Sequence, residues 1–261
     1  VQEIAAIILE PLVQGAAGMA MHDPAYLVAV RRLCDQHQVH WIADEIAVGF
    51  GRTGTLFAHQ QAIGPDGVAV KPDFICLSKG LTGGVMPLSA VLTTDAVYQA
   101  FWDDRTVHGF LHSHSYTGNP LACRAALAVL DTFAARDAQG CDVLARNREA
   151  AAHFHALTEP LRRHPRVKAH RHIGMVWAWD IDTTEPTFAQ RYHRAALDAG
   201  LLLRPIGHTL YVMPPYVLSP DDQRFLADGL LSVLDAVLAE VDALPAHTAA
   251  SGAITATAPM A

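Results

Sequence analysis

The sequence lacks any run of basic residues, and its 261 residues carry a formal net charge of −7. That argues against a nucleic-acid surface and against an anionic membrane as partner. No apolar stretch of about 18 residues is free of charge, so no transmembrane helix is expected. No C-x-x-C pair is present: Cys34, Cys76, Cys123 and Cys141 stand far apart. They read as reduced thiols of a cytoplasmic protein, not as a disulfide frame or a zinc site. There is no internal repeat. There is also no initiator Met and no signal-peptide n-region. The opening "VQEIAAIILEP" runs straight into a strand, as expected of a piece whose upstream part is missing.

What is present is a large apolar complement, 51% of residues, enough for one large domain or two small ones. "EIAAIILE", "VHWIA", "DFICLS" and "LSAVLTT" read as strands. Asp23-Pro24 opens a helix, with Leu27, Val30 and Cys34 on one face. Asn119-Pro120 caps an alanine-rich helix through about Arg136. Strands alternating with helices, buried on both faces, predict an α/β fold with a mostly parallel sheet covered by helices. After residue 137 the pattern becomes a small C-terminal α+β domain. It holds a half-exposed strand "GMVWAWDID", a helix from about Pro186 to Ala199, short strands "LLLRP" and "TLYVMPP", and a helix opened by Ser219-Pro220-Asp221-Asp222. The expected division is 1–136, 137–243 and a disordered Ala/Thr tail, 244–261.

In parallel α/β sheets, ligands sit at the carboxyl ends of strands. Asp44 ends "VHWIA" and Lys79 follows "DFICLS". A buried lysine is a nucleophilic amine suited to a Schiff base, whereas a structural Asp44–Lys79 ion pair is the plain alternative. Gly80, Gly83 and Gly84 clear side chains from around the lysine. "DEIAVGFGRTG" is a second glycine-rich loop and carries Arg52. "HSHSYTGNP" offers Ser115, Tyr116 and Thr117 ahead of a helix N-terminus, a setting that suits phosphate.

Taken together, "EPLVQGAAGM", "ADEIAVGFGRTG", "CLSKGLTGG" and "TGNPLACRAAL" resemble the class III (ω-)aminotransferases, which use pyridoxal 5'-phosphate on the type I fold. The resemblance implies that Lys79 joins the cofactor aldehyde, that Asp44 pairs with the ring N–H, and that Ile46 packs on the ring face. Many general ω-aminotransferases have Gln where this sequence has Ala47. Ala47, and "LLLRPIGHTLYVMPPYVLS", are similar to the branch that makes 7,8-diaminopelargonate for biotin. That likeness implies Arg204 for the carboxylate of 8-amino-7-oxononanoate, Tyr211 and Gly80 in the substrate pocket, and Arg52 on the substrate side. It implies S-adenosylmethionine as amino donor, with lysine as the other candidate. Ser115 stands where the family's phosphate-binding Thr would be. In the family that residue reaches the neighbouring subunit's cofactor, which implies a homodimer.

The family's ring-stacking aromatic and Gly-Ser helix start are not among these residues, so this chain alone is expected to be inactive. The rivals are another ω-aminotransferase and a non-catalytic homologue. Glu10 reads as a hydrogen-bonding residue beside the site or a structural one. His112 and His114 lack a third ligand, so no metal site is expected. His170 and His172 read as solvated, and the tryptophans of "GMVWAW" as core.

Overall fold

A computed structural model describes residues 3–243; the expected tail 244–261 lies outside them. The first sheet has strand order β1-β4-β5-β6, formed by β1 (Ala6–Leu9), β4 (His40–Asp44), β5 (Phe74–Leu77) and β6 (Ala90–Thr93). β1, β4 and β5 are parallel, and β6 runs antiparallel to β5. No α-helix links β5 to β6, only the 3-10 turn Lys79–Thr82, and the chain returns in the opposite direction. Helix α1 (Pro24–His37) starts where expected, with Asp23 accepting from the Ala25 N–H at 2.7 Å. Its Leu27, Val30 and Cys34 pack against Trp41 and Ala43 of β4. Asp73 accepts from the Trp41 N–H and from Arg31, tying α1 to the sheet.

The expectation of burial on both faces is corrected. Ile8, Ile42 and Phe74 stand in register on the face opposite Trp41. There Ile8 is 62% exposed, as is Val91 of β6. Helix α2 (Asp95–Gln99) is exposed, and α3 (Pro120–Ala134) packs through Ala126 and Phe133 on the covered side, against Leu77 and Leu81. Nothing among the described residues covers the other face. A short antiparallel pair, β2 (Val13–Gln14) and β3 (Ala20–Met21), lies between β1 and α1.

The third sheet is antiparallel, β7 (Val167–Ile173), β8 (Val176–Ile181) and β9 (Thr209–Val212). "LLLRP" forms no strand; its last residue is a proline, which has no N–H for a ladder. β8 is buried almost throughout rather than half-exposed. Its two faces serve two cores. Trp177 and Trp179 pack among α4 (Val143–Leu157), α5 (Glu159–Arg162), α6 (Phe188–Asp198) and α7 (Pro220–Asp242). Val176 and Ala178 join the core of Leu12, Met19 and Trp41. The Ser219–Asp222 capping box opens α7 as the sequence indicates.

His170 and His172 are not solvated, which corrects that expectation. Their side chains project from β7 beside the Trp177 and Trp179 rings, with His155 of α4 against them. Nε2 of His170 and Nδ1 of His155 are buried without a partner. Burial, then Arg162 and the neighbouring rings, hold His170 down at about 4; burial first also lowers His155 and His172. An unfolded histidine titrates near ~6.5. Below that value the unfolded chain binds more protons, so stability is full above it and declines as the pH falls toward the folded value. Urea unfolding followed by tryptophan fluorescence is expected to show a midpoint dropping between about pH 6.5 and 4. His170→Asn should flatten that slope, and an unchanged slope would contradict the assignment.

Candidate active site

The parallel pairing of β4 with β5 puts Asp44 beside Cys76 at one sheet edge. The Glu45 N–H donates to Cys76 O at 3.0 Å, so the two exits stay joined beyond the strands. Two residues after β5, Lys79 begins a 3-10 turn, Lys79–Thr82, with its own φ at +42°. A left-handed conformation is costly for a residue with a Cβ and clusters at functional sites. Asp44 Oδ1 accepts from the Ile46 N–H at 3.1 Å, turning the chain away from the strand.

The loop after Asp44 is fixed from below by a residue the sequence did not single out. Glu45 is fully buried, and its carboxylate accepts from the N–H groups of Ala58 and His59 and from the His59 ring at 2.8 to 2.9 Å. An acid following an acid carries no pattern that marks it as internal. Above it, Phe50 (φ +53°) lies directly over Gly80, where an added Cβ would sit 2.7 Å from the Phe50 Cβ. Gly80 is thus required by close packing.

These elements surround a cavity of ≈ 980 Å³ lined by Glu10, Ile46, Ala47, Arg52, Lys79, Gly80 and Tyr211, among others. Glu10 accepts from the Gly15 N–H at 3.2 Å. Tyr211 of β9 faces the cavity, while its neighbours Leu210 and Val212 are buried in the core behind. Strand alternation alone left that choice open. Arg52 donates to Pro214 O at 2.5 Å and stacks over Tyr216, 4.6 Å from its centroid. Tyr216 also went unnoticed in sequence. Its hydroxyl donates to Phe50 O at 2.7 Å, and burial, opposed by Arg52, pushes its pKa up to about 12. It follows two prolines in an irregular stretch, where no periodicity assigns a direction.

The expected burial of Lys79 is corrected. Lys79 is exposed, not buried, because nothing among the described residues roofs the cavity above it. It makes no ion pair with Asp44: among the described residues neither the Lys79 ammonium nor the second oxygen of Asp44 has a partner. Arg204 is exposed and lies in an adjacent groove of ≈ 570 Å³ that shares Tyr211, Met213 and Pro215 with the cavity. Ser115 sits on the stretch 101–118, exposed throughout, and does not line the cavity.

Gly80→Ala is expected to cost roughly 1–3 kcal/mol through overpacking against Phe50. Urea denaturation measures this; a neutral result would mean that Phe50 yields freely.

Comparison with known proteins fits this geometry. The family described as Aminotransferase class-III matches residues 1–234. The chain is 41% identical over 240 residues to the adenosylmethionine-8-amino-7-oxononanoate aminotransferase of Helicobacter pylori, covering 90% of this chain and 52% of that protein. It is 40% identical over 241 residues to the Synechococcus elongatus protein of the same name, covering 90% and 53%. The chain therefore spans about half the length of the curated relatives it matches. The solved structure of the protein so named from Methanocaldococcus jannaschii superposes with a TM-score of 0.79 at 31% identity, covering 88% of this chain and 53% of that one. A PLP-bound amine transaminase from an uncultivated Pseudomonas species gives 0.77 at 33%, covering 90% and 53%. The α/β architecture is that of the pyridoxal-phosphate-dependent type I fold, and the chain belongs to the class III aminotransferases.

Proposed function

We propose that these residues act in a pyridoxal-phosphate-dependent aminotransferase that converts 8-amino-7-oxononanoate to 7,8-diaminononanoate for biotin synthesis, with S-adenosylmethionine as amino donor. The observation that carries it is the unpartnered Lys79 at the end of β5, lining the cavity with Ile46, Arg52 and Tyr211, while Asp44 ends the adjacent parallel strand β4 and does not itself line that cavity. The names of the relatives supply the substrates.

The residues fit the cofactor. The cavity has ample volume, and Gly84, at φ +81°, has nothing within 4 Å of where a Cβ would be. Gly83 and Gly84 line the same wall as Lys79. When bound, pyridoxal phosphate supplies an aldehyde and a ring that withdraws electrons from the substrate carbon. Lys79 Nζ would hold the cofactor through its aldehyde and, as a free amine, would serve as the base and acid that moves the proton. Asp44 would be the residue that keeps a proton on the ring nitrogen. Ile46 supports the ring face, and Gly80 leaves the backbone approachable. Tyr211 borders the substrate, with Arg52 on the substrate side. Arg204, whose guanidinium has no partner among the described residues, takes the substrate carboxylate as a two-pronged donor.

Ser115 completes the phosphate site in a neighbouring subunit. The exposure of Trp102, Val107, Phe110, Leu111 and Tyr116 supports a homodimer formed through this stretch. Among the described residues no helix is long and apolar enough to cross a membrane, which is compatible with a cytoplasmic enzyme. The division at residue 136 stands as part of the same proposal, with 1–136 holding the cofactor and 137–243 the substrate arginine.

Two outcomes are expected. Borohydride reduction with pyridoxal phosphate should leave a stable adduct on the peptide carrying Lys79, absent in Lys79→Ala by mass spectrometry. In the full-length protein that carries these residues, loaded with pyridoxal phosphate and left unreduced, S-adenosylmethionine alone should bleach the cofactor's absorbance band; response to lysine only would change the donor, and no response to either would sink the biotin-pathway reading. Separately, Leu111→Asp should lower the sedimentation coefficient toward that of a monomer.

A further inference from the structure

We propose that Arg171 is a positioning residue for substrate: it sets the shape of the cavity wall formed by residues 15–19. The inference rests on the reading of the cavity as the substrate site. Gly15, Ala16 and Met19 line that cavity. Their turn ends in two consecutive left-handed residues, Gly18 at φ +74° and Met19 at φ +56°. Met19 carries a Cβ, so this backbone persists only where its surroundings hold it.

The carbonyls of both left-handed residues are taken by one guanidinium, from a residue more than 150 positions away. Arg171 Nε donates to Met19 O at 2.8 Å and Nη2 to Gly18 O at 2.5 Å. Its other edge is anchored two-pronged on Asp180, at 2.6 and 2.9 Å. Asp180 is held in turn by the Thr209 hydroxyl at 2.7 Å. Gly18 closes the chain, since a Cβ there would lie 3.3 Å from Thr209 Oγ1. Arg171, Asp180 and Thr209 stand on β7, β8 and β9, so every strand of the sheet contributes one link. Tyr211, two residues beyond Thr209, faces the same cavity. One sheet therefore sets both the Tyr211 side and, through Arg171, the 15–19 side, and with them the width open to a substrate chain. The fork of Arg171 serves oxygens on two edges at once, which a lysine ammonium cannot do.

The test compares Arg171→Ala, Arg171→Lys and the milder Thr209→Val. With Arg171→Ala and Arg171→Lys, amide hydrogen exchange across residues 15–19 should rise about tenfold while β5 is unchanged. The KM for 8-amino-7-oxononanoate should rise about tenfold with kcat within about twofold, and the Lys79 adduct band should not shift. Thr209→Val should give a smaller change of the same sign. Unchanged exchange and KM with only a lower melting temperature would reduce Arg171 to a stabilising ion pair and overturn the proposal, as would full rescue by Lys. If the unsubstituted full-length protein forms no adduct, the aminotransferase reading fails, and the exchange data still decide whether Arg171 holds the wall.

Discussion

The parallel pairing of β4 with β5 is the constraint on which the site depends. It brings two chain exits to one edge of the sheet, one carrying Asp44 and the other Lys79. Everything that follows shapes those exits. The Glu45 N–H holds them together, the buried Glu45 carboxylate carries the loop to His59, and Gly80 admits the Phe50 ring against the turn of Lys79. A register shift of one residue would turn Asp44 to the other face of the sheet and break each of these contacts.

β8 is the second structural hub. Its alternating side chains divide between the tryptophan core under α4, α6 and α7 and the core that reaches Trp41. The three-stranded sheet is therefore bound to the cavity through apolar packing. It is bound again through polar contacts, since Arg171 grips the 15–19 turn and the β7–β8 turn at Gly174 lies against the backbone of Arg52 and Thr53. An added Cβ at Gly174 would approach those backbone atoms to 2.5 Å, so the turn and the loop carrying Arg52 fit one another without slack.

The arrangement within these residues is partial in a specific sense. Lys79, Ile46, Gly80, Arg52 and Tyr211 meet at one cavity, Arg204 faces an adjoining groove, and Ser115 stands apart on an exposed stretch. Exposure of Lys79, of Ile8 and Val91 on one sheet face, and of the apolar residues between 101 and 116 all point the same way. These surfaces are of the kind that further protein covers. The chain's span of about half the length of its relatives agrees with this.

Local chemistry made much of this legible in advance. Asp23-Pro24, Asn119-Pro120 and Ser219-Pro220 announce their helices because capping is settled within a few residues. Strand ends bearing Asp44 and Lys79, with glycines following, are legible for the same reason, and they lie within the class III motifs. What no local pattern holds is decided between distant segments. β6 runs antiparallel, β8 is buried on both faces, Tyr211 turns to the cavity, the histidines of β7 stack on tryptophans, and Glu45 and Arg171 do their holding out of sight. Burial and hydrogen-bond partnership are properties of what packs against a residue, and those partners lie tens to more than a hundred residues away. The family, the strand-end lysine and aspartate and the helix starts are written in local residue order; which side chains face the cavity is settled only in the fold, because facing is fixed by packing across the chain.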